Sequence, residues 1–134
     1  MAEFIFKDMI KKRKLENEFI IESRATSNEE EGNTLYYLAK SKLDEKKIPY
    51  ELKGAKQIKK EDIEYFDYII TMEQRNINNI ISMFGLKNKD KLYCLLDFSK
   101  NKRDISDPWY TRDFEKAYND IYEGLESLLK YFGY

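Results

Sequence analysis

The sequence predicts an α/β fold in three layers, a small parallel sheet flanked by helices. Three observations carry this expectation. Helical and strand periodicities alternate along the whole chain. The strand candidates are too uniformly apolar to leave one face in water, which suits a parallel sheet covered on both sides. The order helix, strand, helix, strand, helix, strand, helix is the one that crossover connections produce. With 134 residues, two prolines, no internal repeat and no low-complexity tract, the chain reads as one domain, 1–134, long enough to bury a core.

The elements follow in order. Phe4, Ile5, Met9 and Ile10 recur at helical spacing, with Glu3, Lys7, Asp8, Lys11 and Lys12 on the other side. That pattern predicts an amphipathic helix of roughly four turns. Glu18 to Ser23 contains the apolar run Phe19-Ile20-Ile21 and reads as a strand. An acidic polar loop, Asn28 to Asn33, precedes a second helix marked by Leu35, Leu38, Ala39 and Leu43, which ends before Ile48-Pro49. Tyr65 to Met72 is β-branched and aromatic, as a strand requires. Ile77, Ile80, Ile81 and Phe84 repeat at three and four, and Gly85 stops that helix. Leu92 to Leu96 reads as a third buried strand. A long last helix starts near Asp113, carries Phe114, Tyr118, Ile121, Leu125, Leu128 and Leu129 along one face, and ends near Gly133.

Composition excludes several kinds of chemistry. Twenty-four basic and 25 acidic side chains leave a net charge of -1. That balance argues against a nucleic-acid binder and against a polybasic membrane anchor. No apolar run is long enough to span a membrane, and no secretory signal opens the chain, so the expected location is cytoplasmic. A mean hydropathy of -0.76 would suit a disordered chain, but 11 Tyr, 8 Phe and 1 Trp would not. Without His there is no Ser-His-Asp triad, no imidazole base and no His-ligated zinc. One Cys permits no internal disulfide, Cys-rich metal site or two-Cys relay, and no metal or cofactor is expected.

Asp107-Pro108-Trp109-Tyr110 is the most informative tetrad. Pro108 pushes Asp107 into an extended conformation, and the two rings suit a pocket wall for a flat substrate that would also desolvate the carboxylate. Asp before Pro is equally an ordinary helix start, with Asp as cap and Pro in the first turn. Cys94 lies within a strand, away from any cationic or helix-N-terminal setting, and reads as an inert buried thiol. Lys11 to Lys14 close a helix, where cations favour the dipole. Glu29-Glu30-Glu31 reads as a solvent-facing loop. The five glycines are scattered and form no phosphate cradle. The first helix begins at Met1 with no capping residue, at the place where an α/β protein puts a phosphate-binding loop.

Taken in register, these segments resemble the low-molecular-weight protein tyrosine phosphatases over essentially the whole chain. Met1-Ala2-Glu3-Phe4 matches the segment after the family's C-x5-R-S-P loop, and Ser23 to Ser27 resembles the turn after its second strand. Ala55-Lys56-Gln57, Glu61-Asp62 and Asp67 to Glu73 resemble A-R-Q…E-D…D-x-I-x-x-M-D, and Asp107-Pro108-Trp109-Tyr110 with Phe114 resembles D-P-Y-Y…F. The resemblance implies hydrolysis of a phosphotyrosine protein or small aryl phosphate through a cysteinyl-phosphate. It assigns the general acid to Asp107, the phenol slot to Trp109 and Tyr110, loop support to Ser23, and an entrance position to Glu29. Leaving-group protonation matters because a phenol, with pKa near ~10, departs poorly as an anion.

Against the family pattern, the first strand and the whole Cys-to-Arg loop lie outside these residues. The expectation is therefore an N-terminally truncated phosphatase body, inactive until that segment is restored. Losing a central strand would leave two edges, so the strands at 18–23 and 65–72 are expected to close together, or a neighbouring chain to fill the gap as an oligomer. Two alternatives differ in class. One is a non-catalytic relative that binds phosphorylated or acidic partners, for which Lys102, Arg103 and Arg112 are the nearby cations. The other is an arsenate-reductase-like protein, whose electron relay needs several cysteines.

Overall fold

The computed structural model describes residues 1–27, 32, 36–87 and 89–134. They fall into two compact units, Met1–Gln57 and Ile58–Tyr134. Among the described residues no helix is long and apolar enough to cross a membrane.

In the first unit the amphipathic pattern yields α1 (Ala2–Lys12), three turns in place of the expected four, burying Phe4, Ile5, Phe6, Met9 and Ile10. Phe6 meets Phe19 edge-on at 5.5 Å between ring centroids. Lys11 and Lys12 occupy the last turn, as the dipole favours, and Lys12 pairs with Asp8 at 2.8 Å. Glu3 departs from expectation. It is not on a wet face but buried, its side chain 3% exposed, and charge neutralisation permits this. Lys7 Nζ lies 2.6 Å from Oε2, Ser23 Oγ donates to Oε1 at 2.7 Å, and Lys53 Nζ donates to Oε2 as well. Burial alone would raise the Glu3 carboxyl, but the bonds from Lys53, Lys7 and Ser23 outweigh it and hold the group below the usual carboxylate range.

The expected strand at Glu18–Ser23 does not form. Those residues lie outside any ladder, and among the described residues of the unit there is one parallel bridge, Ala25 to Gln57, with Ala25 N–H donating to Lys56 O at 2.8 Å. An apolar triplet favours extended backbone, but a strand exists only where a partner satisfies its N–H and C=O groups. Ile20, in the middle of that triplet, is 68% exposed. α2 (Tyr37–Glu45) buries Ala39 and Leu43. Leu35 and the acidic stretch 28–31 lie outside the described residues. Beyond α2 the Ile48 N–H donates to Leu43 O at 2.9 Å, closing the helix just before Pro49.

The second unit holds the sheet, and β1 (Ile69–Thr71) and β2 (Leu92–Cys94) pair in parallel with Ile69 opposite Leu92 and Thr71 opposite Cys94. Two strands therefore stand where three were expected, and neither closure with 18–23 nor a four-stranded sheet occurs among the described residues. Both apolar runs are trimmed by helical turns. Tyr65 ends α3 (Lys60–Tyr65), which starts where Asp62 accepts the Lys59 N–H at 2.9 Å. Leu95 and Leu96 belong to a 3₁₀ turn, Leu95–Phe98, nucleated when Asp97 accepts the Cys94 N–H at 3.0 Å. α4 (Gln74–Phe84) is the crossover between the strands and ends at Gly85 with φ 60, a left-handed position that favours glycine. Ile77 and Ile80 of α4 pack on Leu92 and Cys94 with Ile58. After the short α5 (Pro108–Thr111), α6 (Phe114–Tyr131) begins as expected, with Asp113 accepting the Lys116 N–H at 2.9 Å, and buries Phe114, Ile121, Leu125, Leu128 and Leu129.

α6 approaches the 3₁₀ turn so closely that a Cβ built on Gly124 would lie 2.5 Å from Leu95 Cγ. Leu95 is 1% exposed and cannot retreat. Gly124→Ala is expected to destabilise by about 1–2 kcal/mol, overpacking exceeding the helix-propensity gain, as urea unfolding would show; a more stable variant would mean that Leu95 repacks freely.

Glu3 sets an acid limit. Its folded-state pKa lies below its unfolded value, so its contribution is complete above the unfolded pKa and is lost as pH falls through the folded one. Glu3→Ala is expected to cost roughly 1–3 kcal/mol near neutrality. Urea midpoints measured from about pH 7 to about pH 3 should fall less steeply for Glu3→Gln than for the parent.

Candidate active site

The segment leading to Asp107 is anchored at three successive residues. The Arg103 guanidinium lies 2.7 Å from Asp120 and 3.5 Å from Glu123, both on α6. Asp104 Oδ1 accepts the Gln74 N–H, at the start of α4, at 3.0 Å. Buried Ile105 donates its N–H to Met72 O at 2.9 Å, immediately after β1. These bonds hold the segment at the carboxyl end of β1, the edge where open parallel sheets place their ligands. Asp120 is largely buried, and although burial would raise its carboxyl, Lys116 and Arg103 pull it below its ordinary value.

Two residues beyond Ile105 stands Asp107, in extended backbone at φ -67 and ψ 117, as a following proline requires. Its Oδ1 accepts the Trp109 N–H at 2.9 Å, and its carbonyl accepts the N–H groups of Tyr110 and Thr111 at 3.1 and 3.2 Å. The ordinary helix start is therefore realised, Asp107 as cap and Pro108 in the first turn of α5. That local geometry brings Asp107, Trp109 and Tyr110 together. The rings do not bury the carboxylate as expected: Asp107 is exposed, Trp109 is 47% exposed and Tyr110 73%. A one-turn helix carries too few side chains to enclose its own cap. The Arg112 N–H closes the turn on Pro108 O at 2.8 Å, and its guanidinium carbon lies 5.6 Å from the Trp109 ring centroid.

Cys94 is the last residue of β2 and 4% exposed. Burial pushes its thiol up, and the Thr71 hydroxyl, 3.6 Å from Sγ, offsets this only in part. A neutral thiol packed among Ile77, Ile80 and Leu92 is no nucleophile.

Ser23 lies in the first unit, where its hydroxyl is committed to Glu3. Glu29 lies outside the described residues. Glu3, Lys53 and Arg112 went unrecognised in the sequence as ligands of these groups. Glu3 and Lys7, four apart on one helix, offered a readable pairing signal. Lys53, fifty residues from Glu3, offered none.

The parallel ladder with its crossover helix, and the exposed Asp107 beside two aromatic side chains at the carboxyl end of β1, define a small α/β protein. Residues 1–133 match the family model described as low molecular weight phosphotyrosine protein phosphatase, and the chain belongs to that family. It is 34% identical over 131 residues to the low molecular weight protein-tyrosine-phosphatase YfkJ of Bacillus subtilis, covering 96% of this chain and 84% of that one. It is 31% identical over 132 residues to PtpA of Staphylococcus aureus, covering 98% and 83%. The crystal structure of YfkJ superposes with a TM-score of 0.93 over 98% of this chain and 84% of that chain at 33% identity. That of SP-PTP from Streptococcus pyogenes does so with 0.85 over 96% and 81% at 35% identity.

In the folded protein Cys94 is expected to react with iodoacetamide at least roughly 100-fold more slowly than in urea-unfolded protein, because exposure requires opening of the β2–α4 packing. Equal rates, read by mass spectrometry, would mean that the thiol is accessible.

Proposed function

We propose that this chain is the body of a protein-tyrosine phosphatase that hydrolyses phosphotyrosine proteins or small aryl phosphates, with its two units acting as one phosphatase domain. The observation that carries the reading is Asp107, exposed beside two aromatic rings at the carboxyl edge of β1, in a chain that matches the family from residue 1 to 133. In this chemistry a cysteine thiolate attacks phosphorus, the bond from phosphorus to the phenolic oxygen breaks, and Asp107 gives its proton to that oxygen. Water then attacks the cysteinyl-phosphate, releasing phosphate and regenerating the thiolate, with Asp107 taking up the proton. Trp109 and Tyr110 hold the ring of the substrate, and the family resemblance assigns loop support to Ser23 and an entrance role to Glu29.

Residues 1–134 do not supply the attacking sulfur, since Cys94 is buried and its thiol is pushed up. The family's C-x5-R-S-P loop would provide a thiolate, an Arg clamp and a ring of N–H groups, and these stabilise the transferring phosphoryl group. The 134-residue polypeptide by itself is therefore inactive. An arsenate-reductase-like relay has still less support, because it needs several thiols.

The test compares the 134-residue chain with one carrying a family amino-terminal strand and C-x5-R-S-P loop joined ahead of Met1. Only the joined chain should hydrolyse p-nitrophenyl phosphate. Turnover by the purified 134-residue chain would refute the requirement for an added nucleophile, and phosphopeptide affinity without hydrolysis in the joined chain would favour a non-catalytic binding relative. In the active chain Asp107→Asn should keep α5 intact, because an amide oxygen also accepts the Trp109 N–H. It should slow phenyl phosphate by about 10²-fold or more, and p-nitrophenyl phosphate, with its better leaving group, far less. Equal slowing of both would remove Asp107 from the acid role.

A further inference from the structure

Resting on the reading of Asp107 as the general acid, we propose that Asp104 is a positioning residue: by accepting the Gln74 N–H, it holds Asp107 where its proton meets the leaving oxygen. α5 buries none of its residues, so packing does little to fix the turn that Asp107 caps. The place of that turn is set by tethers on either side. Behind it, Asp113 starts α6 by accepting the Lys116 N–H at 2.9 Å. Ahead of it stand Asp104, whose Oδ1 is 3.0 Å from the Gln74 nitrogen, and Ile105, whose N–H reaches Met72 O at 2.9 Å.

The Gln74 N–H belongs to the first turn of α4, where the helix itself offers no acceptor. A carboxylate placed there also meets the positive end of the helix dipole. Glu73, beside it, pairs with Arg75 at 3.2 Å. The Asp104 and Ile105 bonds join the same two short stretches, 104–105 and 72–74, so each removes freedom that the other would otherwise have to remove. Asp104 is exposed, and Arg103 keeps its own hold on Asp120 and Glu123 of α6. Loss of the Asp104 carboxylate therefore loosens the segment without opening the core. A general acid works only within hydrogen-bond reach of the oxygen it protonates, so a looser segment protonates less often. Poor leaving groups, which depend on that proton, feel the loss most.

The test has one arm without chemistry and one with it. In the 134-residue chain, Asp104→Ala should speed amide hydrogen exchange of Ile105 by about tenfold, the scale of one lost cap bond, and leave the Leu92–Cys94 amides unchanged. Asp104→Asn keeps an acceptor for the Gln74 N–H and should exchange close to the parent. In the joined chain, Asp104→Ala should slow phenyl phosphate by about tenfold and p-nitrophenyl phosphate by about twofold or less, through kcat and not KM. Combined with Asp107→Asn it should cost nothing further, because no acid is left to place. Asp104→Asn should keep most of the phenyl phosphate rate. Unchanged Ile105 exchange in Asp104→Ala, equal slowing of the two substrates, or losses that add to those of Asp107→Asn would each overturn the proposal. Failure of the acid reading itself would appear separately, as equal slowing of both substrates by Asp107→Asn with Asp104 intact. Exchange needs no turnover, so it decides the tether even if the joined chain is inactive.

Discussion

The hydrogen bond from Ile105 N–H to Met72 O determines where the candidate acid can be, because it fastens the segment before Asp107 to the first residue beyond β1. It depends in turn on the parallel ladder of Ile69–Thr71 with Leu92–Cys94. Parallel strands cannot be joined by a tight turn, so the chain must cross over through α4, and the crossover returns both strands with their carboxyl ends at one edge. The stretch after β2 then has little length in which to wander before Arg103, Asp104 and Ile105 are caught by α6, α4 and the residue just after β1 respectively. A three-residue ladder thereby sets the position of a residue thirteen places beyond its last strand.

Carboxylates across the second unit differ in what they hold and in how far water reaches them. Asp97, Asp104 and Asp113 each accept a backbone N–H at the start of a helical turn, and Asp120 is held by two cations. Asp107 does the same with Oδ1 but stays exposed. A proton donor must meet both its substrate and the solvent that reloads it, whereas the buried Cys94 meets neither. Glu3 shows the opposite solution within the first unit, a carboxylate removed from water and offset by Lys7, Lys53 and Ser23. Removing any one of those donors leaves a buried charge less well compensated.

Membership of the low molecular weight phosphotyrosine protein phosphatases gives these arrangements a common purpose. The anchored segment presents an acid at the edge of the sheet, α5 holds two rings beside it, and Arg112 lies over one of them. All three features sit in the few residues between Ile105 and α6. The candidate acid and the rings beside it can therefore move only together.

The α/β class, the three longest helices, the Gly85 stop, the Asp113 cap and the Asp107-Pro108 turn were all legible in the sequence. Each depends on periodicity over neighbouring residues or on the local sterics of Gly, Pro and a short acidic side chain. The family resemblance was legible for a related reason, since four motifs kept their order. Strand limits were not legible: residues 18–23 form no ladder, and Tyr65, Leu95 and Leu96 are taken by helical turns. The burial of Glu3 was hidden too, because Ser23 and Lys53 come from twenty and fifty residues away. Exposure of Asp107 and the stacking of Arg112 on Trp109 likewise emerged only with the folded chain. Local geometry is written in adjacent residues, whereas pairing and solvent access depend on whichever distant segments arrive alongside, and that is settled by the tertiary fold.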